Sequence, residues 1–192
     1  MPLFLSVEHM MNRQHFELLE QARRALPGGF KVELSGDTIV MQASPSAMHQ
    51  LNLSKIHGQF DAHVPEGYVF TGNTDLVSPQ TAKVRNPDLT YLPEEAMTTT
   101  DSSVAAELAL IAVEVVSPSS PENDWVGKLR DYPLMGVPLY LVVDARQKVV
   151  TLFSEVENGR YRLREDADFG EGVHIPEPFA FVFDTGVLRP YG

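Results

Sequence analysis

Two short apolar runs, Leu108 to Val116 and Leu139 to Asp144, constrain this chain more than any other feature. Both are rich in Val, Ile and Leu and nearly unbroken, which reads as strands covered on both faces. Between them, Ser117-Pro118-Ser119-Ser120-Pro121 ends the first strand and opens a helix through about Met135. Ser120 is its candidate N-cap, and Gly136-Val137-Pro138 closes it. Strand, helix, strand at this spacing is a parallel crossover unit, expected to be right-handed. The fold class is therefore α/β, a mixed central sheet flanked by helices.

The remaining elements fit around that unit. Ser6 to Leu26 reads as an amphipathic helix carrying Met10, Phe16, Leu19 and Ala22, stopped by Pro27-Gly28-Gly29. Phe30 to Leu34 and Thr38 to Met41 alternate around Gly36-Asp37 and predict a β-hairpin. Ser44-Pro45 opens a second helix to about Ala62, with Ser44 as N-cap and Met48, Leu51, Ile56 and Phe60 buried. Strands are expected at Tyr68 to Thr71, Asp75 to Val77 and Asp88 to Leu92, and an exposed loop tip at Thr98 to Ser103. The tail alternates again at Val149 to Phe153 and Arg160 to Leu163, across Asn158-Gly159. With no internal repeat, the 192 residues read as one domain, an N-terminal helix at about 6–26 and a core at about 30–165.

One carboxylate breaks the first apolar run. Glu114 lies among Val113, Val115 and Val116, and an isolated ionised carboxylate is costly to bury, so a compensating partner is expected. Asp88 follows Pro87 at the entry to another short strand and could meet Glu114 across a sheet. Two such acids form the oxygen-rich half of a divalent-cation site. On the helix that follows, Asp124, Lys128 and Tyr132 fall at i, i+4 and i+8 and share a face. Two acids and a lysine suit hydrolytic phosphoryl transfer: the acids hold a cation that polarises the phosphate, and the lysine orients water or offsets developing charge. Plainer readings exist for each. Asp88 also suits a solvent-facing strand start, Glu114 a sheet-end acid paired with an arginine, and Asp124–Lys128 an exposed helical ion pair. Ser117, Ser119 and Ser120 lack a nucleophile elbow and read as turn and capping residues.

Composition narrows the chemistry. Zero cysteines exclude disulfides, zinc knuckles and thiol nucleophiles and fit a reducing, cytoplasmic setting. No stretch reaches the ~18 apolar residues of a membrane span, and the N-terminus has no basic segment of the kind that opens a signal peptide. The formal net charge of −11 would not steer DNA inward, although a local basic strip on an acidic protein is compatible with binding it.

The ordered series Pro87-Asp88, Glu114-Val115-Val116-Ser117-Pro118-Ser119-Ser120, Lys128, Tyr132, Gly136-Val137-Pro138 and Tyr140-Leu141-Val142-Val143-Asp144 resembles the Uma-type putative restriction endonucleases. That family belongs to the PD-(D/E)XK nuclease superfamily, and the similarity runs from about Phe30 to Leu163. The resemblance implies a restriction-endonuclease-like core using Mg²⁺, or Mn²⁺, with Asp88 and Glu114 as metal ligands. The superfamily lysine normally lies two residues after the second acid, where this chain has Val116. The resemblance passes that role to Lys128, and it matches Glu33 and His49 to further family positions. The plainer readings are an exposed strand face for Glu33, a surface or cap histidine for His49 and packing for Tyr132. Trp125 reads equally as a partly exposed helix residue or a base-stacking one. Pro133, inside the helix carrying Lys128, departs from the pattern and should kink it or end it early. Tyr140-Leu141, where members often carry Tyr-Trp, is conservative packing.

The expectation is a metal-dependent endonuclease acting on DNA, with Asp88 and Glu114 binding Mg²⁺, Lys128 assisting the attacking water and Glu33 adding to the site. A homodimer is compatible with it, because nucleases that cut both strands often pair their sites. The alternatives are a nuclease fold kept as a binding or assembly module, and a small-molecule phosphohydrolase.

Overall fold

The structure, a computed structural model, describes residues 13–26, 30–43, 45–72, 74–98, 100 and 103–191. The expected start of the first helix with Met10, its Pro-Gly-Gly stop, and Ser44 lie outside the described residues.

The parallel crossover predicted from the two apolar runs is the centre of the fold. Strand β8 (Ala112–Val115) pairs in parallel with β9 (Tyr140–Asp144), and the helical segment between them covers one face. Val113, Val115, Leu141 and Val143 pack into one core, while Ala112, Val116, Tyr140 and Val142 pack into a second on the opposite face. This two-sided burial accounts for the lack of alternation in the sequence. The sheet continues antiparallel on one side through β10 (Val149–Glu157) and β11 (Arg160–Asp168), and on the other through β6 (Leu89–Pro93) and β3 (Tyr68–Thr71). Asn158 and Gly159 both take positive φ at the β10–β11 turn, the geometry that favours Asn-Gly there.

Beside this mixed six-stranded sheet the protein has a second, five-stranded one. Its order is β2 (Thr38–Ala43), β1 (Phe30–Ser35), β5 (Lys83–Arg85), β4 (Asp75–Ser78) and β7 (Ser103–Ala105). The predicted hairpin is β1–β2, with Ser35 opposite Thr38. Helix α1 (Arg13–Ala25) seats Leu19 on Val32, Leu34, Val77 and Val84 of this sheet. Ser103, expected at the end of a loop tip, is buried and starts β7 in parallel with β4.

Helix α2 (Ala47–Phe60) begins later than expected, because Ser46 rather than Ser44 is its N-cap. Its inward stripe is His49, Asn52, Ile56 and Phe60, while Met48 and Leu51 are exposed. Hydropathy placed Ile56 and Phe60 correctly and missed the first two turns, where His49 and Asn52 face inward instead. The Asn52 amide is buried because it exchanges two hydrogen bonds of 2.8 Å with the Arg189 backbone. The core also extends past residue 165: β12 (Gly172–Ile175) and β13 (Phe181–Asp184) add Val173, Ile175, Phe181 and Phe183 to the first core. Among the described residues, no helix is long and apolar enough to cross a membrane.

Candidate active site

The two sheets meet at the corner Asn86-Pro87-Asp88. Strand β5 belongs to the five-stranded sheet and β6 to the six-stranded one, so the chain changes sheets across these three residues. Pro87, without an N–H, suits a corner that belongs to neither ladder. The Asn86 N–H donates to Glu33 Oε1 at 2.9 Å, and its Nδ2 donates to Asp75 Oδ1 at 2.9 Å. Both bonds fix the corner from the β1 and β4 sides.

That corner sets Asp88 against Glu114. Strands β6 and β8 are antiparallel, with Leu89 opposite Val113 and Thr90 opposite Ala112. One step further along this register places Asp88 opposite Glu114, where side chains share a face. The Val115 N–H closes the pair by donating to Asp88 Oδ2 at 3.0 Å. Asp88 also holds Lys31 Nζ at 2.8 Å on Oδ1 and His49 Nε2 at 3.0 Å from Oδ2. His49 is thus a buried neighbour of Asp88 rather than a surface histidine. The Ser46 cap, accepting the His49 N–H at 3.2 Å, puts it there.

Glu114 faces the helical segment that leads to β9. This segment is wound as a π-helix over Asn123–Lys128 and continues as α3 (Leu129–Leu134). The wider winding carries Asp124 and Lys128, and such segments recur at functional sites. Lys128 Nζ lies 2.8 Å from Glu114 Oε2 and 3.4 Å from both Glu33 Oε1 and Asp124 Oδ1. Tyr132 does more than pack: its hydroxyl donates to Glu114 Oε1 at 2.6 Å. Asp124, Lys128 and Tyr132 therefore do share one face. Pro133 leaves them undisturbed, and α3 ends one residue beyond it. Val116, on the same strand side as Glu114, packs beside Tyr132, so the lysine comes from the helix above rather than from the strand.

Glu33 is wholly buried, against the exposed-strand reading. It bonds Arg85 Nη1 at 2.9 Å, and Arg85 also forks onto Asp131 Oδ2 at 2.6 and 3.0 Å. The five-stranded sheet meets the helix through this charged layer, and Lys83 Nζ adds a 2.9 Å contact to Asp131 Oδ1. Sequence reasoning missed Lys31, Lys83, Arg85 and Asp131. The only signal for the three cations is charge alternation on β1 and β5, which an exposed strand face shows equally, and Asp131 on α3 reads as an ordinary helix-surface acid.

A cleft of about 250 Å³ opens over the acids, lined by Asp88, Glu114, Asp124, Lys31, His49 and the turn Ser117-Pro118-Ser119. The two facing acids differ in proton affinity. Burial raises the Glu114 carboxyl to about 8, with Asp88 and Asp124 adding to the rise against the pull of Lys128. Burial alone would also raise Asp88, but the His49 hydrogen bond and the Lys31 charge hold it well below the usual carboxylate range. Asp124 is raised by burial more than Lys128 lowers it. Lys128 is buried, which opposes its charge, yet Glu114, Glu33 and Asp124 keep it firmly protonated.

Among the described residues, no group of three His, Asp or Glu side chains is arranged as a ready ligand shell. The donor chemistry nevertheless fits a hard divalent cation. Three carboxylates line the cleft, and Asp124 Oδ1 is buried there with only the 3.4 Å contact to Lys128 Nζ.

The fold has a counterpart among solved structures. It is similar to the crystal structure of a putative nuclease belonging to DUF820 from Anabaena variabilis, with a TM-score of 0.68 over 88% of this chain and 95% of that one. At 13% identity the likeness speaks for the fold, a restriction-endonuclease-like α/β architecture. No curated protein matches the sequence. The family described as "Putative restriction endonuclease" (Uma2) matches residues 14–186. With nearly the whole length covered and Asp88, Glu114 and Lys128 gathered at one place, the chain belongs to the Uma2 family.

Proposed function

We propose that the protein is a metal-dependent endonuclease that hydrolyses phosphodiester bonds of DNA, with its active site in the Asp88–Glu114 cleft. The observation that carries this reading is the meeting of Asp88 and Glu114 in one cleft, Asp88 tied to the Val115 N–H one step beyond the β6–β8 register and Lys128 Nζ 2.8 Å from Glu114. Membership of a family of putative restriction endonucleases supports a nucleic-acid substrate. A divalent cation is the usual cofactor of restriction-endonuclease-like enzymes. Held here by Asp88 and Glu114, Mg²⁺ or Mn²⁺ would polarise the scissile phosphate and lower the pKa of the attacking water.

The protein's own groups then divide the work. Asp88 is kept ionised by Lys31 and His49 and is ready to accept a cation. Lys128 is wholly buried, and in this structure it acts on the cleft through Glu114, holding that carboxylate in place and favouring its charged form. It is a positioning residue for the attacking water. Lys31 lines the cleft itself and is the cation best placed to meet a phosphate oxygen. Glu33 positions the site from behind, through the Asn86 N–H and Arg85.

Plasmid DNA incubated with Mg²⁺ or Mn²⁺ should be nicked or cut by the wild type, and EDTA should stop the reaction. Asp88→Ala or Glu114→Ala should abolish cleavage and metal-binding heat while the circular dichroism spectrum stays native. A wild type that neither takes up metal nor cuts any nucleic acid would remove the enzyme reading. The second reading, a nuclease fold kept for binding or assembly, draws on one observation: Lys128 already satisfies much of the carboxylate charge. It predicts DNA or protein binding with no turnover.

A further inference from the structure

A second groove, of about 240 Å³, lies on the other side of Asp88 and shares Lys31, Pro45 and Asp88 with the acid cleft. Its far wall is aromatic. Phe70, on edge strand β3, is 42% exposed and stands against His57 with ring centroids 4.1 Å apart. His57 is itself fixed by a 3.2 Å contact between Nδ1 and the Tyr91 hydroxyl, and Leu53 lines the groove beside them. Gly72 completes the link to the acids, since a Cβ there would lie 3.0 Å from the Asp88 carbonyl oxygen.

The cations nearby are already engaged. Lys31 is paired with Asp88, Lys83 with Asp131, Arg85 with Glu33 and Asp131, and Lys128 with Glu114. On a chain of net charge −11, phosphate contacts can supply little affinity, because that contribution grows with the number of phosphates neutralised. Substrate affinity has to come from elsewhere, and an exposed ring beside the cleft offers stacking. A base in a duplex has both faces covered by its neighbours, so only an unpaired or extruded base can use such a ring.

From this we infer that the Phe70–His57 groove is a stacking subsite for an unpaired nucleobase next to the scissile phosphate, and that the preferred substrate is single-stranded or locally opened nucleic acid. The inference rests on the nuclease reading. In it the strand runs across Asp88, its phosphate over the acid cleft and its base against Phe70.

The test is fluorescence anisotropy with one labelled oligonucleotide, single-stranded and annealed, in Ca²⁺ to hold turnover down, followed by cleavage of both forms in Mg²⁺. The wild type should bind and cut the single strand better than the duplex, with a shallow dependence on NaCl. Phe70→Ala should weaken single-strand binding about tenfold, and Phe70→Trp should keep it close to wild type. Thermal melts of both variants exclude loss of fold as the cause. Unchanged single-strand binding by Phe70→Ala, or a duplex preference with a steep salt slope, overturns the subsite while leaving the nuclease reading intact. A wild type that neither binds nor cuts either form overturns both, and the two failures are told apart by the wild-type signal alone.

Discussion

Lys128 is a lysine with no exposed surface, set among Glu114, Glu33 and Asp124, and its energetics follow from that setting. Removing one partner from a buried charge cluster leaves the others uncompensated, typically at about 3–5 kcal/mol. Lys128→Met is therefore expected to lower stability by about that amount in urea unfolding, and to lose cleavage with it. Lys128→Met with Glu114→Gln should recover much of the stability but none of the activity. Asp131 gives a pH signature. Burial would raise it, but the Arg130 and Ser35 hydrogen bonds and the Arg85 charge hold it well below the usual carboxylate range. A depressed folded pKa contributes stability above the unfolded value of about 3.9, and this is lost as pH falls towards the folded value. Wild-type stability should thus fall steeply below about pH 4, and Asp131→Asn should start lower and flatten that limb. At this scale the sequence exposed Glu114, because a carboxylate inside Val-Glu-Val-Val is conspicuous. It hid Arg85 and Lys31, because charges alternating along a strand look the same whether they face water or a buried counter-charge.

Elements place the site through their ends and their windings. Ser46 caps α2 and accepts the His49 N–H, so the cap both starts the helix and fixes the first turn that brings His49 to Asp88. Ser46→Ala should cost about 1 kcal/mol of stability. If His49 supports Asp88, cleavage should fall by more than that loss of stability explains. Strand order does comparable work. The crossover from β8 to β9 returns the π-wound segment over Glu114, which is why a lysine fourteen residues further along replaces one at Val116. Helical periodicity put Asp124, Lys128 and Tyr132 on one face, and they are. The same reasoning held on α2 for Ile56 and Phe60 and failed on its first half, where His49 and Asn52 occupy the buried stripe and Met48 and Leu51 stay outside. Hydropathy cannot foresee a polar side chain whose bonds are made by a distant part of the chain.

Across the whole molecule, two apolar cores share the six-stranded sheet, and the charged layer of Glu33, Arg85 and Asp131 ties the five-stranded sheet to α3. The layers should therefore unfold together: urea transitions followed by circular dichroism and by Trp125 fluorescence are expected to coincide. Arg85→Met should destabilise strongly by removing the buried guanidinium that bridges Glu33 and Asp131; separation of the two transitions would show that the second sheet had come away alone. The sequence by itself determined the fold class, the central crossover and the two acids, because these are written in local periodicity, in β-branched runs buried on both faces and in the cost of burying charge. Only the tertiary structure decided the rest. The sheet change at Asn86-Pro87-Asp88, the antiparallel register that sets Asp88 opposite Glu114, the burial of Glu33 and Arg85 and the approach of Lys31 to Asp88 join residues far apart in the chain. A one-residue change in that register would turn each side chain to the other face, and no local pattern reports it.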